Sequence, residues 1–253
     1  MRQILSDFRD GIESYSDAFR LIKEKRLWGY VLMPGILSIV FGGGMFFLAW
    51  HYSGGIGHYL SNNYPFEFGK STVASIAQYA GWAMAAALAY VSYKYIILIL
   101  VAPFMSPLSE KIEAHLMGRE SNARFNLVRA GKEIWRGIRV SLRNFSREIL
   151  YTIVLLIVGF IPLIGFLSAP AIFMVQAYFV GFGNMDYTLE RHMGVKESAI
   201  FVKDYKGLAI ANGSIFLFLL MIPVAGLFLA PSLATVASAV ESVQRLKHEG
   251  KIA

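Results

Sequence analysis

Residues 161–170 read Ile-Pro-Leu-Ile-Gly-Phe-Leu-Ser-Ala-Pro, and residues 222–231 read Ile-Pro-Val-Ala-Gly-Leu-Phe-Leu-Ala-Pro. The shared pattern is Ile-Pro-x-x-Gly-x-x-x-Ala-Pro, and each copy lies in the middle of an uncharged stretch, 149–183 in one case and 207–240 in the other. One spanning helix needs about 20 apolar residues, and two spans with a turn need more than about 40; stretches of about 35 fit neither. Proline has no N–H to give the helix and disfavours a helical residue before it, so each cluster predicts a break. The reading favoured is a re-entrant hairpin that enters the membrane, turns at the motif and leaves on the side of entry. Such a turn is tolerated at depth where protein or a watery cavity covers it. Two short, tilted transmembrane helices joined by a tight loop remain the alternative.

Composition supports a membrane setting. The 253 residues are 56% hydrophobic and only 16% charged, with a mean hydropathy of +0.51 and a net charge of +7. Soluble domains carry about 25% charged residues. The absence of cysteine excludes disulfides, thiolate metal sites and cysteine nucleophiles. The first 26 residues carry charges throughout and do not resemble a cleaved signal peptide. The basic excess flanks apolar segments, which points to anionic lipid headgroups or an anionic solute rather than nucleic acid.

Working outward, residues 1–26 form an amphipathic interfacial helix. Leu5, Phe8, Ile12, Tyr15, Phe19 and Ile22 recur at steps of three and four. Contact with lipid and docking on the protein are both compatible with that stripe. Residues 27–50, with a tryptophan near each end, form a first span containing Pro34 and the Gly42–Gly44 run. A polar loop (51–70) leads to a second span, 71–100, with Lys94 near its interface. Ala102-Pro103-Phe104 is expected to break the helix, and Ser106-Pro107 to start another that ends at Gly118.

Residues 106–148 then make interfacial, basic helices. Arg129, Lys132, Arg136, Arg139, Arg143 and Arg147 advance by about 3.6 residues per step and so share one helical face. Such a stripe suits lipid phosphates at the membrane surface, or a funnel for an anion. Two spans followed by two returning hairpins place all 24 Lys and Arg except Lys70 on one side, the cytoplasmic side by the positive-inside rule.

Enzymatic constellations are missing. The five histidines show no metal-ligand spacing, and no nucleophile elbow, phosphate loop or dinucleotide fingerprint occurs, so neither catalysis, a metal nor a cofactor is expected. No Asp or Glu interrupts an apolar segment, which argues against a proton relay. The returning half-helices would instead aim N-termini, with their partial positive charge, into the membrane. Gly165, Ser168 and Gly226 are therefore candidate anion-site residues, although Ser168 would serve equally as a local cap.

Ala102-Pro103-Phe104 followed by Leu108 to Gly118 (Leu-Ser-Glu-Lys-Ile-Glu-Ala-His-Leu-Met-Gly) resembles the signature of the bacterial sulfate permease CysZ family, which belongs with the eukaryotic etoposide-induced membrane proteins. Phe160-Ile161-Pro162, Met221-Ile222-Pro223 and Tyr30-Val31-Leu32-Met33-Pro34 fit the same pattern. The resemblance spans nearly the whole chain. It implies an all-α integral membrane protein of the bacterial inner membrane, with two long transmembrane helices, two hemi-penetrating hairpins and homo-oligomeric assembly. It also implies a channel-like route for sulfate. An Arg-Arg pair associated with sulfate in that family is Trp28-Gly29 here, which leaves Lys25 and Arg26 as the nearest cations. A non-transporting membrane scaffold of the same fold is the alternative function.

Overall fold

The computed structural model describes residues 2–62, 96, 99–121, 127–159, 161, 165–222 and 224–252. Among them no strand occurs. The helices are α1 (Arg2–Glu24), α2 (Trp28–Asn62), α3 (99–116), α4 (Leu127–Gly159), α5 (Ser168–Leu189), α6 (Val195–Asp204), α7 (Lys206–Leu220) and α8 (Ala225–His248). By length and composition, Gly165–Leu189 and Ala225–His248 are able to cross a membrane. The chain is an all-α membrane protein. It divides into two compact units, Met1–Ile36 with Leu98–Ala253, and Leu37–Ile97. The expected second span, 71–100, lies almost wholly outside the described residues, as does Lys94.

Helix α8 is the centre of the larger unit, with α1, α5 and α7 packed on it and α4 packed on α5. Its most apolar stretch is 83% buried, against 28% for the corresponding stretch of α5, whose second half from Ala177 onward is buried while its first half lies at the surface. Helices α5 and α7 cross antiparallel on small residues. A side chain on Gly181 would strike the Ala209 carbonyl, and one on Gly213 would strike the Ala177 carbonyl. Each glycine thus faces the alanine of the other helix, and the backbones touch. Asn184 Nδ2 donates to Asn212 Oδ1 at 2.8 Å, and Asn212 Nδ2 donates to the Ala234 carbonyl at 2.9 Å. Ser238 Oγ donates to the Asn184 carbonyl, and Tyr15 OH to that of Asn212. These bonds tie α1, α5, α7 and α8 together inside an apolar core that includes Val180, Phe216 and Ala230.

Both motif copies make the same hydrogen bond from glycine back to isoleucine. The amide of Gly165 donates to the Ile161 carbonyl at 2.9 Å, and that of Gly226 to the Ile222 carbonyl at 3.0 Å. A Cβ on Gly165 would hit the Gly159 carbonyl, and one on Gly226 the Leu219 carbonyl. Each glycine is required where the returning chain presses on the end of the helix it has just left. Apolar side chains cap both turns, with Phe166 74% and Met221 76% exposed.

The prolines do less breaking than expected. Pro170 is the third residue of α5, and Pro231 the seventh of α8 rather than its first. Helix α3 also runs through Pro103 and Pro107 without the anticipated break. Tertiary packing wins there, because Met105, Leu108 and Ile112 are buried to within 1% of completeness. Pro34 shows how the lost hydrogen bond is replaced. With no N–H at residue 34, the Tyr30 carbonyl lacks its helical donor, and Ser232 Oγ of α8 donates to it at 2.8 Å. Two boundaries also differ. Helix α2 continues through 51–62, where a loop was expected, and the basic helix is continuous with the descending arm of the first hairpin across residue 148.

The expected docking of α1 is only half apolar. It lays Gly11, Ser14, Ala18, Leu21 and Ile22 on its neighbours and leaves Leu5, Ile12 and Phe19 exposed. If the α5–α7 contact governs stability, Gly213→Val will lower the unfolding free energy by about 1–3 kcal/mol, as overpacking does. Gly131→Ala, at a helical position with open space around it, will be neutral or slightly stabilising. Denaturant unfolding of the purified protein reads both; equal effects from the two would contradict this packing.

Candidate functional site

Helix α3 carries serines and acids at helical spacing, α4 carries its basic stripe, and the end of α5 carries Asp186, Glu190 and Arg191. They converge on an open cavity of about 440 Å³, lined by Glu110, Lys132, Glu133, Arg136, Glu190 and Arg191. Arg136 is held on every side. Its Nε and Nη2 donate to Asp186 at 2.9 and 2.8 Å, Nη1 to the Met193 carbonyl at 2.9 Å, and Nη2 also to Ser198 Oγ. Arg191 is equally committed, to Glu113, to Ser109 and to the Tyr187 carbonyl. Ser106 Oγ donates to Glu133 Oε1 at 2.9 Å, and His192 Nε2 lies 2.8 Å from Glu113 Oε1.

Burial would raise the Glu113 carboxyl, but its bonds to His192 and Arg191 more than reverse this and hold it below the ordinary range. Glu190 behaves oppositely. Burial pushes it up to about 7, with the Ser106 hydrogen bond opposing, Asp186 and Glu133 adding and Arg191 opposing. Its Oε1 is buried without a hydrogen-bond partner. Both guanidiniums are engaged by protein groups, and the rest of the cavity lining is Glu110, Lys132, Glu133 and Glu190.

The expected site residues are therefore distributed. Lys25 and Arg26 form the exposed turn between α1 and α2, Arg26 with a positive φ of 54°. Arg129 lies in the first turn of α4. Lys132 and Arg136 share the cavity wall, whereas Arg139 stacks at 5.8 Å over Trp135 and is exposed. Arg143 is half-buried, its guanidinium 5.1 Å from the Phe182 ring. Gly165, Ser168 and Gly226 are at the hairpin turns. Ser168 is not the cap of α5; its Oγ donates backwards to the Gly165 carbonyl at 2.7 Å. Along α5 the turn and Asp186 are separated by 18 residues, about 27 Å, so the stripe and the turns are not one site.

The profile of the family described as "Sulfate transporter CysZ/Etoposide-induced protein 2.4" matches residues 14–231. The chain belongs to that family. Relatives named "Sulfate transporter CysZ" agree over nearly full length at low identity. The protein from Pseudomonas syringae pv. tomato is 24% identical over 240 residues, covering 90% of each chain. That from Vibrio cholerae O395 is 25% identical over 238 residues, covering 88% of this chain and 89% of its own. The family is one of transporters rather than enzymes. The stretch Ala102–Gly118 supplies Ser106, Ser109 and Glu113, which clasp the end of α5 through Arg191.

The residues that sequence reading passed over are Glu133, Asp186 and Glu190. Only their positions opposite the basic stripe mark them. Since the folded Glu190 binds its proton more tightly than the unfolded chain does, its contribution to stability falls as pH rises from about 4.5 to about 7. Glu190→Gln will flatten that limb and stabilise the protein at pH 8 by no more than about 3 kcal/mol. Unfolding of both proteins across this range checks it; parallel pH profiles would refute it.

Proposed function

We propose that this chain conducts sulfate across the bacterial inner membrane as an anion channel or permease of the CysZ type. The observation that carries this is the α1–α2 turn. Lys25 and Arg26 stand exposed beside the N-terminus of a long apolar helix, and a side chain on Gly29 would meet nothing within 4 Å. Two cations, a helix N-terminus and an open backbone suit a tetrahedral oxyanion. The paired-arginine positions themselves are Trp28 and Gly29 here, so Lys25 and Arg26 are the nearest cations, just before the apolar stretch of α2. The names of the full-length relatives support sulfate as the ion.

The two hairpins are re-entrant in this reading. Helix α7 has 15 residues, about 22 Å, which is short of a hydrocarbon core of about 30 Å. The uncharged part of α4, residues 149–159, reaches only about 16 Å. The exposed apolar caps at Phe166 and Met221 suit turns that stop in lipid rather than emerge into water.

The outward cations of α4 serve lipid. Lys132, Arg139 and Arg147 are exposed, Trp135 is 62% exposed beside Arg139, and an outward apolar band starts at Leu150 on the same helix. Such a belt matches anionic headgroups. Homo-oligomeric assembly completes the proposal.

In reconstituted vesicles, sulfate flux will fall several-fold in the Lys25→Gln/Arg26→Gln variant, and raised salt will narrow the difference from wild type. Gln at Arg139 and Arg147 will weaken binding to anionic vesicles and leave flux unchanged. Folded wild-type protein that passes no sulfate above empty vesicles would remove the permease and leave a membrane scaffold.

A further inference from the structure

Helices α1 and α8 meet through charge at the end of the bundle away from the turns. One nitrogen, Arg245 Nη2, lies 2.6 Å from Asp10 Oδ2, 3.2 Å from Asp7 Oδ1 and 3.9 Å from Glu241 Oε2. Three carboxyl groups therefore divide one guanidinium among them. The Asp10 side chain is 40% exposed and so reaches solvent. Asp7 and Glu241 are not so placed, being 2% and 7% exposed. Asp7 Oδ2 and Glu241 Oε2 are both buried with no hydrogen-bond partner.

Close backbone packing produces this burial. A Cβ on Gly207 would hit the Ile4 carbonyl and approach Asp7 Cβ to 2.8 Å, and one on Gly11 would come within 2.8 Å of Ala211 Cβ. Helix α1 lies flush on α7, with Asp7 sealed beneath it.

The surrounding groups do not supply the missing positive charge. Asp17 of α1 adds a further negative field at Glu241. From the α6–α7 junction, the Tyr205 ring lies 5.6 Å from the Arg245 guanidinium, and its hydroxyl donates to Glu249 Oε1. Glu249 is matched by Lys251 at 2.7 Å, and Lys206 at the start of α7 is exposed. Among the described residues, Asp7 and Glu241 form ion pairs with Arg245 alone, and no group of acids and histidines is arranged to hold a metal ion.

Two buried carboxylates that share one guanidinium with a third leave negative charge uncompensated, which is costly away from water. A single proton removes one of the two buried charges, and the two carboxyl groups then share Arg245 at lower cost. We propose that Asp7 and Glu241 together bind one proton near neutral pH, and that this proton locks α1 onto α7 and α8. Loss of the proton as pH rises sets like charges across the α1–α8 joint and loosens it. The lock is therefore complete in the protonated state and is lost on the alkaline side.

The chain has no cysteine, so spin labels at Ser6 and Gln244, both exposed, report the α1–α8 distance in lipid nanodiscs without interference. Wild type will show one short, narrow distance at about pH 6 and a longer, broader population by about pH 9, with a one-proton midpoint. In Asp7→Asn or Glu241→Gln the midpoint will move by at least about one pH unit or vanish. A wild-type distance that ignores pH overturns the proposal, as does either folded variant titrating like wild type. Replacing sodium by choline at fixed pH will change nothing. A distance that follows sodium instead would assign the site to a metal cation and overturn the proton. The readout involves no transport, so it stands apart from the fate of the permease reading.

Discussion

The antiparallel contact of α5 with α7 is the constraint on which the larger unit depends. Ala177 and Gly181 meet Ala209 and Gly213 with backbone against backbone, which leaves no room for a side chain at either glycine. In a membrane, the hydrophobic effect does little to bring helices together, so close approach and internal hydrogen bonds must do it. The Asn184–Asn212 pair lies one turn along the same seam and extends it to Ala234 of α8. Both hairpins contribute an arm to this contact. Their turns can therefore be made of exposed apolar residues and a single tight glycine, because what holds them is elsewhere.

What was legible in the residues was the part governed by local chemistry. The repeat at Ile161–Gly165 and Ile222–Gly226 marks two turns, and the structure shows one hydrogen-bond pattern in both. Reading every proline there as a breaker went too far. Pro231, Pro103 and Pro107 sit inside helices because neighbours bury them, and at Pro34 a serine nearly two hundred residues away supplies the missing donor. Helical arithmetic placed the six basic residues of α4 on one face, but it could not reveal their partners. Arg136 turns inward to Asp186, while Arg139 stays out on Trp135. The acids of the joint between α1 and α8 were invisible for the same reason. Asp7 lies within the amphipathic first helix and Glu241 just beyond the uncharged stretch 207–240, and only the fold carries them into one buried place.

Charge in this protein is accordingly divided by use. Arg136, Arg191 and Arg245 are structural clasps: the first two fasten the end of α5 to its neighbours, and the third fastens α1 to α8. Lys25 and Arg26, and the outer cations of α4, are among those that face outward. The anion route and the lipid belt proposed above draw on exposed cations of this kind, so in that reading neither competes with the stability of the fold.

The depth of the two turns tests the membrane arrangement most directly. Single cysteines replacing Phe166 and Met221 can carry a fluorophore quenched by lipids labelled at known depths. The account predicts strongest quenching from probes near the middle of the bilayer at both positions. Strongest quenching from the headgroup level opposite the basic side would show that the hairpins cross completely, and would contradict it.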